Sequence, residues 1–102
     1  MPGILEECEG FDWDVGNSQK NWHLHQITDG ECEEIFFNMP LLVKRTGSRA
    51  TEERYFALGR TDSDRRLFAA FTIRDKLIRV ISARDMTKSE DRKYAEKVKR
   101  DS

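Results

Sequence analysis

The chain is predicted to fold as an α+β domain, a mostly antiparallel sheet preceded by two helices and followed by one. Three observations carry this. Residues 65–84, RRLFAAFTIRDKLIRVISAR, are two Phe/Ile/Val-rich runs broken by Asp75-Lys76, the pattern of a β-hairpin. Two capping boxes, Thr28-Asp29-Gly30-Glu31 and Thr87-Lys88-Ser89-Glu90, mark helix starts on either side of that hairpin. Between the first box and the hairpin, short alternating or apolar runs are separated by turn-rich segments, which favours strands that pair with their neighbours in sequence.

Taken in order, residues 1–10 are an acidic lead-in, expected to be disordered, and residues 11–102 form the single domain. Phe11-Asp12-Trp13-Asp14 alternates as a first strand, and Asp14 is placed to cap the first helix. Residues 15–25 make a short helix weakened by Gly16, Asn17, Ser18 and Asn21. The second helix starts at the Thr28 box, buries Ile35, Phe36 and Phe37 with Cys32, and ends near Asn38, just before Pro40. Leu41-Leu42-Val43 reads as a strand and residues 44–51 as a basic loop. In the strand of residues 53–60, Arg54, Phe56, Leu58 and Arg60 share one side. With Asp75-Lys76 as a two-residue turn, Arg74 faces Leu77, Thr72 faces Arg79 and Ala70 faces Ile81. Leu67, Ala69, Phe71, Ile73, Ile78 and Val80 then form a core face. Arg66, Phe68, Thr72, Arg74 and Arg79 form an opposite, basic face, with Arg84 pointing away from it. The last helix is polar, with Tyr94, Val98, Met86 and Ala95 its apolar residues, and all helices are expected on one face of the sheet.

The 102 residues bound a modest core: 37% are hydrophobic and 36% charged. The net charge of −1 conceals a division. Residues 1–43 carry one base against nine acids, and residues 44–100 carry seventeen bases against nine acids. A basic half on a neutral chain is the footprint of a polyanionic partner, unless the two halves pair with each other. Cys8 and Cys32 form no disulfide framework and no metal-ligand cluster, so reduced thiols and no cofactor are expected. No apolar run approaches a membrane span, and the acidic start is not a signal peptide. Cytoplasmic residence is the expectation.

One set of segments belongs together: Phe11-Asp12-Trp13-Asp14, Asn21 with His25, Ile27-Thr28, Glu33-Glu34, Glu53-Arg54, Leu58-Gly59-Arg60-Thr61, Phe71-Thr72 with Arg74, Arg79 to Arg84, and Glu90 with Tyr94. In these segments the chain resembles the BrnT-type toxins of bacterial type II toxin–antitoxin modules, relatives of the RelE-like ribonuclease toxins. The resemblance spans residue 11 to about residue 96 and is most specific at Arg79 to Arg84. It implies a RelE-like fold and a metal-independent endoribonuclease that arrests translation. It also implies a cognate antitoxin, with a hetero-tetramer as the assembly and operator DNA reached only through that antitoxin. Two departures stand out. The family's Lys-His-Gly reads Leu24-His25-Gln26, and its Asp-Gly turn reads Asp75-Lys76, where positive φ strains the lysine.

RNA cleavage of this kind uses the 2′-hydroxyl as nucleophile. The protein must take its proton, stabilise charge on the phosphorus oxygens and protonate the leaving 5′-oxygen. Guanidinium suits the middle task because its planar fork bonds two phosphate oxygens and stays charged. Arg79 and Arg74 on the hairpin, with Arg60 at the end of the preceding strand, are the first catalytic candidates. His25, Glu53 and Tyr94 are the acid–base or positioning candidates by residue type. Arg66, Arg84, Lys44, Arg45 and Arg49 are expected phosphate contacts. Trp13 is expected in the core. The departures around His25 also leave a second function open, a weak or inactive homologue that serves as co-repressor with its antitoxin.

Overall fold

The computed structural model describes residues 5–44 and 54–101. The expected sites Arg45, Arg49 and Glu53, and the side chain of Lys44, lie outside the described residues. The elements run β1 (Gly10–Phe11), α1 (Val15–His25), α2 (Asp29–Phe37), β2 (Leu41–Lys44), β3 (Tyr55–Arg60), β4 (Arg66–Arg74), β5 (Leu77–Asp85) and α3 (Lys88–Asp101). The five strands form one sheet in the order β1-β5-β4-β3-β2. All pairs are antiparallel except β1 with β5, where Gly10 and Phe11 lie beside Leu77 and Ile78.

Local chemistry sets the helix starts. Asp14 accepts from the Asn17 backbone N–H and caps α1. At α2 both halves of the Thr28 capping box form, and at α3 Thr87 and Glu90 exchange the same pair of bonds. Alpha1 ends on Gln26 in the left-handed region, at φ 55°. A glycine would occupy that position without strain. Within the expected lead-in, Leu5 and Cys8 pack against the core, and the Glu9 N–H donates to the Lys76 carbonyl at 2.7 Å.

The core lies between the sheet and α1–α2. Cys32, Ile35 and Phe36 of α2 pack with Ile27 onto Ala57, Leu67, Ala69, Phe71, Ile78, Val80 and Ala83. Gly59 allows the close approach: a Cβ there would sit 2.9 Å from Ile35 Cβ and 3.0 Å from its carbonyl oxygen. Burial, and then the neighbouring acids Asp29, Glu31 and Glu33, push the Cys32 thiol up to about 12, so it is a packing residue. Trp13 is half-buried and donates its indole N–H to Glu33 at 2.8 Å. Alpha1 buries only Asn21. It covers the edge of β5 beyond β1 instead, where Asn21 Oδ1 accepts from the Ala83 N–H and Asn17 reaches the Val80 carbonyl.

Two expectations are corrected. The hairpin turn is at Asp75-Lys76, with φ 54° and 65°, and Arg74 does face Leu77. The regular register fails past Phe71, however: Phe71 pairs with Val80 and Ala70 with Ser82, so Ile81 is a bulge residue without a β4 partner. One extra residue reverses the facing of everything beyond it. Arg84 therefore stands opposite Phe68 on the basic face, and Ala83 joins the core. The second correction concerns α3, which contacts side chains of the basic face rather than joining α1 and α2. Thr87 caps it immediately after β5, and the acids of its first turn meet Arg66 and Arg84 there.

Candidate functional site

The basic face has two ends. Arg74 and Arg79 lie toward the hairpin turn, and Arg60, Arg66 and Arg84 lie at the opposite end, under α3. Arg79 sits across from Thr72, six residues along β4 from Arg66, a separation of about 20 Å at strand rise. The arginines expected to act together are thus divided.

The α3 end encloses a groove of about 470 Å³. Arg60 and Arg66 are directly opposed on β3 and β4, which places both guanidiniums along it. Lys97 and Val98 contribute from α3, and Phe37, Asn38 and Met39 from the end of α2. Tyr94 lies between helix and sheet, 2% exposed, with the Arg66 guanidinium 5.4 Å above its ring. Its hydroxyl makes no hydrogen bond among the described residues, and neither does the Arg60 guanidinium. Arg66 is held by Asp91 at 2.6 Å and Asp64 at 3.4 Å. The hydrogen bond it donates to Asp91, and then the one to Asp64, raises its pKa further, so it is a cation at every working pH. Asn38 Nδ2 donates to the Arg60 carbonyl at 2.9 Å and to Asp62 at 3.0 Å, fastening the end of α2 to that of β3.

The remaining candidates are dispersed. Arg84 lies over the Phe68 ring at 4.1 Å and grips Glu90 with two bonds, at 2.7 and 2.9 Å. That hydrogen-bonded pairing holds the Glu90 carboxyl below the usual carboxylate range. Arg79 is half-buried, with its Nε 3.2 Å from Asp12. Arg74 is exposed beside the turn. His25 ends α1, exposed, near Asp85. Its place is fixed by Arg65, a residue that no sequence motif singles out. Arg65 donates to the His25 and Gln26 carbonyls at 2.9 and 3.0 Å, to Asp85 at 2.9 Å and to Glu31 at 3.3 Å. Only its position beside a turn is visible in the chain.

The groove thus joins three sequence candidates, Arg60, Arg66 and Tyr94, to three residues that sequence pattern does not mark as site residues: Lys97, Phe37 and Met39. The pattern puts Phe37 in the core, yet it is 76% exposed, because α2 turns Ile35 and Phe36 inward. Chemically, two guanidiniums and an ammonium beside an aromatic and apolar wall suit a phosphate with an attached planar group.

A search of curated proteins returns no match. Among solved structures, the chain is similar to the crystal structure of the Brucella abortus ribonuclease toxin BrnT, with a TM-score of 0.60 and 17% identity, over 78% of this chain and 97% of that one. At that identity the likeness speaks for the fold. The family model described as the ribonuclease toxin BrnT of type II toxin–antitoxin systems matches residues 13–90, three quarters of the sequence. The chain belongs to the BrnT family of ribonuclease toxins of type II toxin–antitoxin systems.

Proposed function

We propose that the protein is an endoribonuclease whose α3-end groove holds the scissile phosphate. The convergence of Arg60, Arg66 and Lys97 around Tyr94 supports this reading. The RNA 2′-oxygen attacks phosphorus and the 5′-oxygen leaves, giving a 2′,3′-cyclic phosphate and a 5′-hydroxyl. Charge growing on the non-bridging oxygens meets Arg60, which has no internal ion pair to break among the described residues, and Arg66. Among the described residues, Tyr94 is the one acid–base candidate from the sequence that reaches this groove, where its hydroxyl serves the leaving oxygen or a phosphate oxygen. Arg79 and Arg74 extend the RNA path along the same face, and His25 stands at the end of the sheet as a further contact. The protein works as a single cytoplasmic domain, arrests translation by cutting mRNA, and is neutralised by a cognate antitoxin through which operator DNA is reached.

The test is incubation of purified protein with single-stranded RNA, with magnesium and with a chelator. Cleavage to cyclic-phosphate ends in both conditions is expected, with Arg60→Ala at least about 100-fold slower at unchanged fold. A folded wild type that leaves RNA intact defeats the proposal. A second reading rests on one observation: Arg66, Arg79 and Arg84 already hold carboxylates of the same chain. Filled anion sites suit a weak or inactive homologue acting as co-repressor. That reading predicts a tight antitoxin complex, altered operator binding and no RNA cleavage.

A further inference from the structure

Phe37 and Met39 flank Asn38 at the end of α2 and are 76% and 73% exposed. Two large apolar side chains presented together on so charged a surface call for a ligand. Their outward position is built in. Asn38 is bonded to the end of β3, and Met39 holds φ at 51°, a region unfavourable for a side chain of its kind. The Phe37 ring is steadied against Phe11, with centroids 6.1 Å apart at 69°. Both side chains line the same groove as Arg60 and Arg66.

We infer that Phe37 and Met39 form a shelf for an unpaired nucleobase next to the phosphate on Arg60 and Arg66, so that the groove selects single-stranded RNA. The inference rests on the phosphate-groove reading and adds the recognition element to it. A base in a duplex has both faces stacked and cannot lie on such a shelf, whereas a splayed base can. Size decides against an acidic amphipathic peptide as the main occupant. A groove of about 470 Å³ suits one or two nucleotides, while a helix needs anchor points along several turns. Phe37 becomes a specificity-determining residue.

The experiment titrates the full chain, isotopically labelled for NMR, with three probes. These are inorganic phosphate, a 2′-O-methylated trinucleotide that cannot be cleaved, and the same trinucleotide with an abasic central position. All three are expected to shift the Arg60 and Arg66 side-chain signals. Loss of the base should weaken binding by about five- to a hundredfold. In Phe37→Ala, with the fold checked by circular dichroism, that difference should fall below about twofold while the phosphate response persists. Met39→Gly, which relieves the strained φ, should reduce the difference in the same direction. Equal binding of the two trinucleotides by the wild type overturns the shelf and leaves the phosphate groove standing. Undiminished discrimination in Phe37→Ala does the same. No response of Arg60 or Arg66 to any probe overturns both. In a separate control titration, an acidic peptide that shifts Phe37 and Met39 where the trinucleotide does not assigns the surface to a protein partner and also overturns the shelf.

Discussion

The two faces of β3 and β4 are made from alternate residues of the same strands, yet they do different work. On the core face, Ala57, Leu67, Ala69 and Phe71 are fully buried under α2 and the α1–α2 turn. On the other face, Arg60 is exposed and Arg66 half-buried beside a helix held by Tyr94 and by carboxylate–guanidinium pairs. The contrast teaches that stability and charge placement are separable here. A substitution on one face should leave the other's property largely alone.

The largest effect is expected on the core face. Phe71→Ala removes a ring packed against Phe36 and Tyr55 and should cost about 3–5 kcal/mol of unfolding free energy, read by denaturant titration. Gly59→Ala forces a methyl against Ile35 and its backbone, with an expected loss of about 1–3 kcal/mol. If either change is neutral, the core face is not what holds the domain together.

The charged face should give smaller, pH-dependent effects. Glu90 has a lowered pKa, because Arg84 hydrogen-bonds its charged form. Its contribution is therefore present above the ordinary glutamate value of about 4.3 and is lost as pH falls through the lowered folded value. Glu90→Gln should cost about 0.5–1 kcal/mol at pH 7, and the gap to wild type should close as the pH falls through that lowered value. A gap independent of pH would show that Glu90 acts by packing. The smallest effect is expected at the turn: Lys76→Gly, at φ 65°, should stabilise the fold by less than about 0.5 kcal/mol, read as a slight rise in the thermal midpoint, without changing RNA cleavage.

Much of this is legible in the chain because it is local. Thr28 with Glu31, Thr87 with Glu90 and Asp14 are hydrogen-bonding devices four residues long, and all three form as read. The turn at Asp75-Lys76 and the pairing of Thr72 with Arg79 come from alternation. The bulge at Ile81 does not, since nothing in Val80-Ile81-Ser82 marks the extra residue, and it alone moves Arg84 to the basic face. The groove is also out of reach. It joins the ends of α2 and β3 to the middle of α3, and the exposure of Phe37 depends on how α2 turns against Gly59. Arg65 escapes because its five side-chain hydrogen bonds go to three separate segments of the chain.

The central claim is that the phosphate is handled at the α3 end of the basic face rather than at the hairpin end. The direct measurement is kcat/KM for RNA cleavage by Arg60→Ala and Arg79→Ala, side by side, both confirmed as folded. The expected result is a fall of at least about 100-fold for Arg60→Ala and less than about tenfold for Arg79→Ala, a half-buried residue tied to Asp12. The reverse order would place the reacting phosphate beside Arg79 and contradict the account.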